Sequence, residues 1–278
     1  MTRVAAIQMT SCASVAQNLA VAGDLLQQAK AQDAVVAVLP ENFAYMGRGE
    51  ADKLAVAEDH GSGPIQDFLS GSARQLGLWI VGGTLPLRVP GEPRVAAASL
   101  VHDATGREAA RYDKIHLFDV DVPGKLESHR ESRAVRPGVQ PVTVDTPAGR
   151  LGLAVCYDVR FPELFRELLS QGAEWFTLPS AFTVPTGRAH WELLLRARAV
   201  ENLCYLVAPA QSGFHENGRE THGDSMIVEP WGRVLARLPR GTGVITAELD
   251  LARQRRLRQD FPAVQHRRLT AAAPRQES

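Results

Sequence analysis

Short apolar runs alternate with amphipathic stretches along most of this chain, which restricts it to folds in which strands and helices share a core. Runs at Val4–Met9, Ala34–Leu39, Leu78–Gly82, Ala96–His102, Leu151–Val155, Trp175–Leu178 and Tyr205–Ala208 have the length and composition of buried strands. Between them, residues 15–31, 63–76, 162–171 and 188–203 carry apolar side chains at helical spacing. After about residue 210 the pattern changes. Ser225–Glu229, Gly232–Leu238 and Gly243–Leu249 read as short strands separated by Pro-Trp-Gly and Pro-Arg-Gly-Thr-Gly turns. The pattern predicts a mixed α/β domain, not a purely parallel one.

Two segments resemble each other: Val36-Ala37-Val38-Leu39-Pro40-Glu41-Asn42-Phe43 and Phe176-Thr177-Leu178-Pro179-Ser180-Ala181-Phe182, each after a helical stretch. Read as a repeat, they predict two similar halves packed sheet on sheet with helices outside. Read as coincidence, they mark two buried strands and no more. No low-complexity linker divides the chain, so residues 1–278 are expected to form one domain with a core over about 3–266 and a frayed tail at 267–278. Val120–Val142, rich in Gly, Pro, Ser and charge, reads as a long loop of the kind that often carries function.

The 31 basic and 31 acidic side chains cancel, and no extended basic stripe is present. That balance argues against nucleic acid or a membrane surface and for a small-molecule partner. Cys12, Cys156 and Cys204 are scattered, with no CxxC pair and no His-x-x-x-His nearby, so neither a disulfide framework nor a structural zinc fits. The N-terminus Met1–Met9 turns polar at once, unlike a signal peptide or membrane span. A soluble, cytoplasmic protein is expected.

Three side chains stand where chemistry is done. Leu151–Val155 runs straight into Cys156, and Pro162-Glu163-Leu164-Phe165 opens a helix soon after. A thiol at that junction is expected to feel the positive end of a helix and to have a lowered pKa; the alternative is a buried, inert cysteine. Glu41 follows the apolar run 34–39 through Pro40, at the strand end where α/β sheets collect ligands, or else is a solvated loop charge. Lys114 heads the long loop, which also supplies Glu127 and Glu131. Alone it is a surface lysine; with Glu41 and Cys156 it completes a set of nucleophile, base and electrostatic stabiliser. His116, His190 and His222 are nominal bases for a thiol, but none lies in a Cys–His signature.

Leu39-Pro40-Glu41, Tyr112-Asp113-Lys114-Ile115-His116-Leu117-Phe118-Asp119 and Val155-Cys156-Tyr157-Asp158-Val159-Arg160-Phe161-Pro162-Glu163 resemble the three signatures of the carbon–nitrogen hydrolase (nitrilase-like) superfamily. Leu178–Thr183, Gly187–Ala199 and His222–Met226 look most like its Nit subgroup. The resemblance implies a four-layer αββα sandwich, pairing with a second subunit through a helical face, and no metal or organic cofactor. It implies Glu41 as general base, Lys114 as stabilising cation and proton donor, and Cys156 as nucleophile. Glu131 matches the family's auxiliary glutamate, because Glu131-Ser132 precedes Arg136-Pro137-Gly138; Glu127 is the fallback. The backbone N–H of Tyr157 is expected to join Lys114 in an oxyanion hole.

The subgroup's best-known activity is cleavage of the amide of deaminated glutathione, a substrate with a carboxylate at each end. Arg160, Arg188 and Lys125 are the cations near the matched motifs, with Tyr45, Phe182 and Thr183 as wall residues. Arg160 has a second reading, as an ion-pair partner of Asp158 or Glu163 behind the cysteine. An ω-amidase acting on α-ketoglutaramate shares the α-keto acid half, and a catalytically dead binding module is the rival outside enzymes.

Overall fold

A computed structural model describes residues 1–121, 128–216 and 218–269. In chain order its first half comprises β1 (Thr2–Gln8), α1 (Val15–Ala31), β2 (Val36–Val38), α2 (Pro64–Leu76), β3 (Trp79–Val81), β4 (Leu85–Arg88), β5 (Val95–His102), β6 (Glu108–Asp113), β7 (Asp119–Asp121) and β8 (Ser128–Arg130). The second half comprises β9 (Thr143–Thr146), β10 (Gly149–Leu153), α3 (Pro162–Ser170), β11 (Trp175–Thr177), α4 (Val184–Asn202), β12 (Tyr205–Ala208), β13 (Ser212–Phe214), β14 (Glu220–His222), β15 (Ser225–Val228), β16 (Val234–Leu238), β17 (Gly243–Leu249) and α5 (Leu251–Asp260).

Two sheets face each other between helical layers. One has the order β17-β1-β2-β3-β5-β4 with β6 beside β5, the other β16-β15-β12-β11-β10-β9. Strand alternation explains the layering. On β1, Ala5 and Ile7 pack with Leu26 of α1 and Leu69 of α2. Val4 and Ala6, on the opposite face, join the cluster that holds Leu151, Val207 and Ile227 of the second sheet. That sheet turns its other face to α3, where Phe176 meets Phe165 edge-on at 5.1 Å. Gly152 lets α3 approach: a Cβ there would press on Leu168. The result is the four-layer αββα sandwich.

Each sheet is built on a parallel trio, β1-β2-β3 or β10-β11-β12. The resembling segments hold equivalent places, since β2 and β11 are the central strands of the trios. Parallel neighbours need crossovers, and the helices supply them. The halves are tied together at the end, where the chain passes from β16 in the second sheet to β17, which runs antiparallel to β1 from Thr2–Leu249 to Gln8–Gly243.

Several elements differ from expectation. Helix α4 begins at Val184, with Pro185 in its first turn, instead of at 188. The long loop contains the β7–β8 pair and a 3-10 turn at Glu131–Arg133. Lys125, Glu127 and the segment from Thr270 lie outside the described residues. Among the described residues, no helix is long and apolar enough to cross a membrane.

Candidate active site

Glu41 sits just past β2, and its backbone is held from two sides. Asn42, at φ +56°, donates its N–H to Thr84 Oγ1 at 2.8 Å. Gln211 Nε2 donates to the Glu41 carbonyl at 3.0 Å. Gly83 closes against this segment at φ +48°, and a Cβ on it would collide with the Pro40 carbonyl oxygen. Gly83→Ala is therefore expected to destabilise the fold by roughly 2 kcal/mol or more and to lower turnover by displacing Glu41. Urea midpoints and kcat check this; an unchanged midpoint would show that the close approach is not needed.

Lys114 follows β6, where the Gly138 N–H donates to its carbonyl at 2.8 Å. Its ammonium is 1% exposed and lies between two buried carboxylates. Nζ donates to Glu41 Oε1 at 2.8 Å and to Glu131 Oε1 and Oε2 at 3.0 and 2.9 Å. Glu131 Oε2 also accepts the Phe118 N–H at 2.7 Å. Burial opposes the lysine charge, but Glu131 and then Glu41 overcome it, and its pKa stands well above the ordinary lysine value. Burial likewise works against the Glu131 charge, yet Lys114 and Lys53 bring its pKa below the usual carboxylate range.

Cys156 occupies a left-handed conformation, φ +49°, at the head of a five-residue 3-10 turn, Cys156–Arg160. Its N–H donates to the Pro179 carbonyl at 3.0 Å, which pins the elbow to the turn after β11. The lowered thiol pKa expected from sequence is not what this environment produces. Burial pushes the thiol well above the ordinary range and the Glu41 charge adds to the rise, while Lys114 and the Ala181 N–H offset only part of it. The thiol lies beside the Glu41 carboxylate.

Behind the elbow lies Asp158, fully buried. It accepts the Tyr112 hydroxyl at 2.7 Å, the Val155 N–H at 2.8 Å, the His116 N–H at 3.1 Å and His116 Nδ1 at 2.7 Å. One carboxylate thus joins the cysteine turn to the segment carrying Lys114. Arg160 is not its partner. His116, stacked on Phe161 at 3.7 Å, belongs to this framework. His190 approaches Arg160 at 3.2 Å, and His222 lies 3.8 Å from Asp224. None of the three histidines lines the cavity over Cys156.

That cavity holds about 440 Å³ including its mouth, and its walls include Glu41, Lys114, Glu131, Cys156, Tyr157 and Phe182. Arg160 reaches it too, its guanidinium 5.6 Å from the ring centroids of both Tyr157 and Phe182. Two expected wall residues are displaced. Thr183 is buried as the cap of α4, its hydroxyl 2.8 Å from that of Thr186, and Thr186 lines the cavity in its place. Tyr45 lines a second, outer chamber. Arg188 is exposed on α4 and lines neither. Lys53 and Arg219 line both chambers and were not anticipated; a lysine in a short 3-10 helix, Glu50–Val56, and an arginine between glycine and acid carry no local signal.

A buried carboxylate, ammonium and thiol over a small cavity form a site suited to acyl transfer. The carbon–nitrogen hydrolase family profile matches residues 3–259, and the chain belongs to that family of enzymes. It is 44% identical over 267 residues to the deaminated glutathione amidase of Synechocystis sp., covering 95% of this chain and 97% of that one. Among solved structures it resembles the Caenorhabditis elegans NitFhit protein, with a TM-score of 0.89 and 38% identity; the match covers 96% of this chain and 65% of that longer one. It also resembles a mutant amidase from Nesterenkonia sp. AN1 bearing the acetamide moiety of fluoroacetamide covalently at its active-site cysteine, with a TM-score of 0.81, 28% identity and coverage of 96% and 94%.

Proposed function

We propose that the chain is a cysteine-dependent amidase that cleaves deaminated glutathione to 2-oxoglutarate and cysteinylglycine. The observation that carries this reading is the Glu41–Lys114–Glu131 cluster bonded at 2.8–3.0 Å beside the Cys156 cavity, in a chain so similar to an amidase of that name.

In this mechanism Glu41 takes the Cys156 proton as sulfur attacks the amide carbon. The oxyanion is held by Lys114 and the Tyr157 N–H. Glu41 passes the proton to the departing nitrogen, the C–N bond breaks, and the amine leaves a thioester. Water then gives a proton to Glu41 and attacks the thioester; the C–S bond breaks, the acid departs, and sulfur recovers its proton. Glu131 keeps Lys114 in place. The raised proton affinity of Lys114 favours a fixed cation over the proton donor expected from the family resemblance.

We read residues 1–278 as one domain acting on a small amide in the cytoplasm, without nucleic acid or membrane. Exposed Leu193 and Val200 on α4 favour a helical face shared with a second copy. The substrate is tested by offering deaminated glutathione and α-ketoglutaramate side by side. Higher kcat/KM with release of cysteinylglycine is expected; a clear preference for the ammonia-releasing compound would replace this substrate with an ω-amide.

A further inference from the structure

The cavity over Cys156 adjoins a wider chamber of about 1040 Å³, counting its open mouth, and the two share Asn42, Lys53 and Arg219 as walls. The two spaces differ in their acidic groups. The inner one sets Glu41 and Glu131 among Lys53, Lys114, Arg160 and Arg219; the outer wall carries Arg48, Lys53, His129 and Arg219, with no carboxylate among its described residues. Asp52, on the same segment as Arg48, does not line it. Its Oδ2 accepts the backbone N–H groups of Arg48 and Gly49 at 2.8 and 3.0 Å.

The order of bond breaking decides which half of a substrate meets this wall. The acyl half stays on Cys156 as a thioester, while the amine half must move away before water can enter. The wider, outward chamber is the route open to it. We propose that this chamber is a leaving-group subsite in which Arg48 and Lys53 bind a carboxylate carried by the departing amine, such as the C-terminal carboxylate of a dipeptide. The assignment rests on the amidase reading given above. It makes the two cations determinants of leaving-group preference: a peptide leaving group engages them and ammonia does not. Arg48 separates this role from catalysis best, because it lines only the outer chamber, whereas Lys53 also acts electrostatically on Glu131.

The test compares Arg48→Gln with the wild type on deaminated glutathione and on α-ketoglutaramate. The ratio of kcat/KM for the two is expected to fall by about tenfold or more, through KM for the peptide substrate, as befits loss of a hydrogen bond to a charged group. Deaminated glutathione with its glycine carboxylate converted to the amide provides the second arm. The wild type is expected to lose the same factor on this compound, and Arg48→Gln to lose nothing further. Lys53→Gln is expected to shift the ratio in the same direction. An unchanged ratio in both variants, or a wild type indifferent to the amide, overturns the subsite. A wild type that leaves deaminated glutathione uncleaved overturns the substrate reading and the subsite with it.

Discussion

Cys156→Ala is expected to lower kcat for amide hydrolysis by roughly 10⁴-fold or more while leaving the urea midpoint close to the wild type. The chemical loss is large because no neighbouring group can form the thioester in its place. The structural loss is small because the side chain shrinks by one sulfur and the elbow is held by its backbone, through the Cys156 N–H on Pro179 and the Asp158 carboxylate on Val155. Single-turnover assays with mass detection of the acyl-enzyme read the first result, and urea unfolding reads the second. Residual turnover within tenfold of the wild type would remove Cys156 from the mechanism.

The second large effect belongs to Lys114→Met, which keeps the length of the side chain and removes its charge. Glu41 and Glu131, 5% exposed each, would then face one another without the cation that bonds both. Breaking a buried ion pair in this way costs about 3–5 kcal/mol. The sign of the pH dependence is diagnostic. In the wild type, the lowered pKa of Glu131 contributes stability that is present above the unfolded carboxylate pKa and lost as pH falls through the folded value. Lys114, held well above its ordinary value, contributes stability below the unfolded lysine pKa that is lost only as pH rises through its folded one. In the variant Glu131 loses the cation that lowers its pKa while its burial remains, so the deficit should shrink as pH is lowered from 8 to 5. Urea midpoints at the two pH values measure this; a deficit independent of pH would show that packing, not charge, is the main contribution of Lys114. Turnover is expected to vanish with the cation proposed to hold the oxyanion.

Much of this arrangement is legible in the sequence, for physical reasons that also explain what is not. Val36–Val38 and Trp175–Thr177 are buried on both faces, so their apolar runs announce them. Strand β6 is half-buried and reads Glu-Ala-Ala-Arg-Tyr-Asp, without alternation to mark it. Helix α5 carries four arginines and buries only Gln254, so no apolar stripe reveals it. Glu41, Lys114, Cys156 and Glu131 stand out by family signature and meet in one buried site. The direction of the Cys156 shift does not, because it depends on how completely the site closes and on a carboxylate 115 residues away in the chain. Asp158 was visible in its motif, but its role depends on Tyr112 and His116 arriving from the other half.

The return of β17 to β1 bears on how the molecule is made. Strand β1 leaves the ribosome long before its antiparallel neighbour β17, with Thr2 opposite Leu249. The β1 edge of the first sheet therefore stays unpaired until β17 is made, and in that interval it is available for mispairing. The first sheet is consequently complete only once β17 has been made, and a fragment ending before Gly243 contains every proposed catalytic side chain without the strand that pairs with β1.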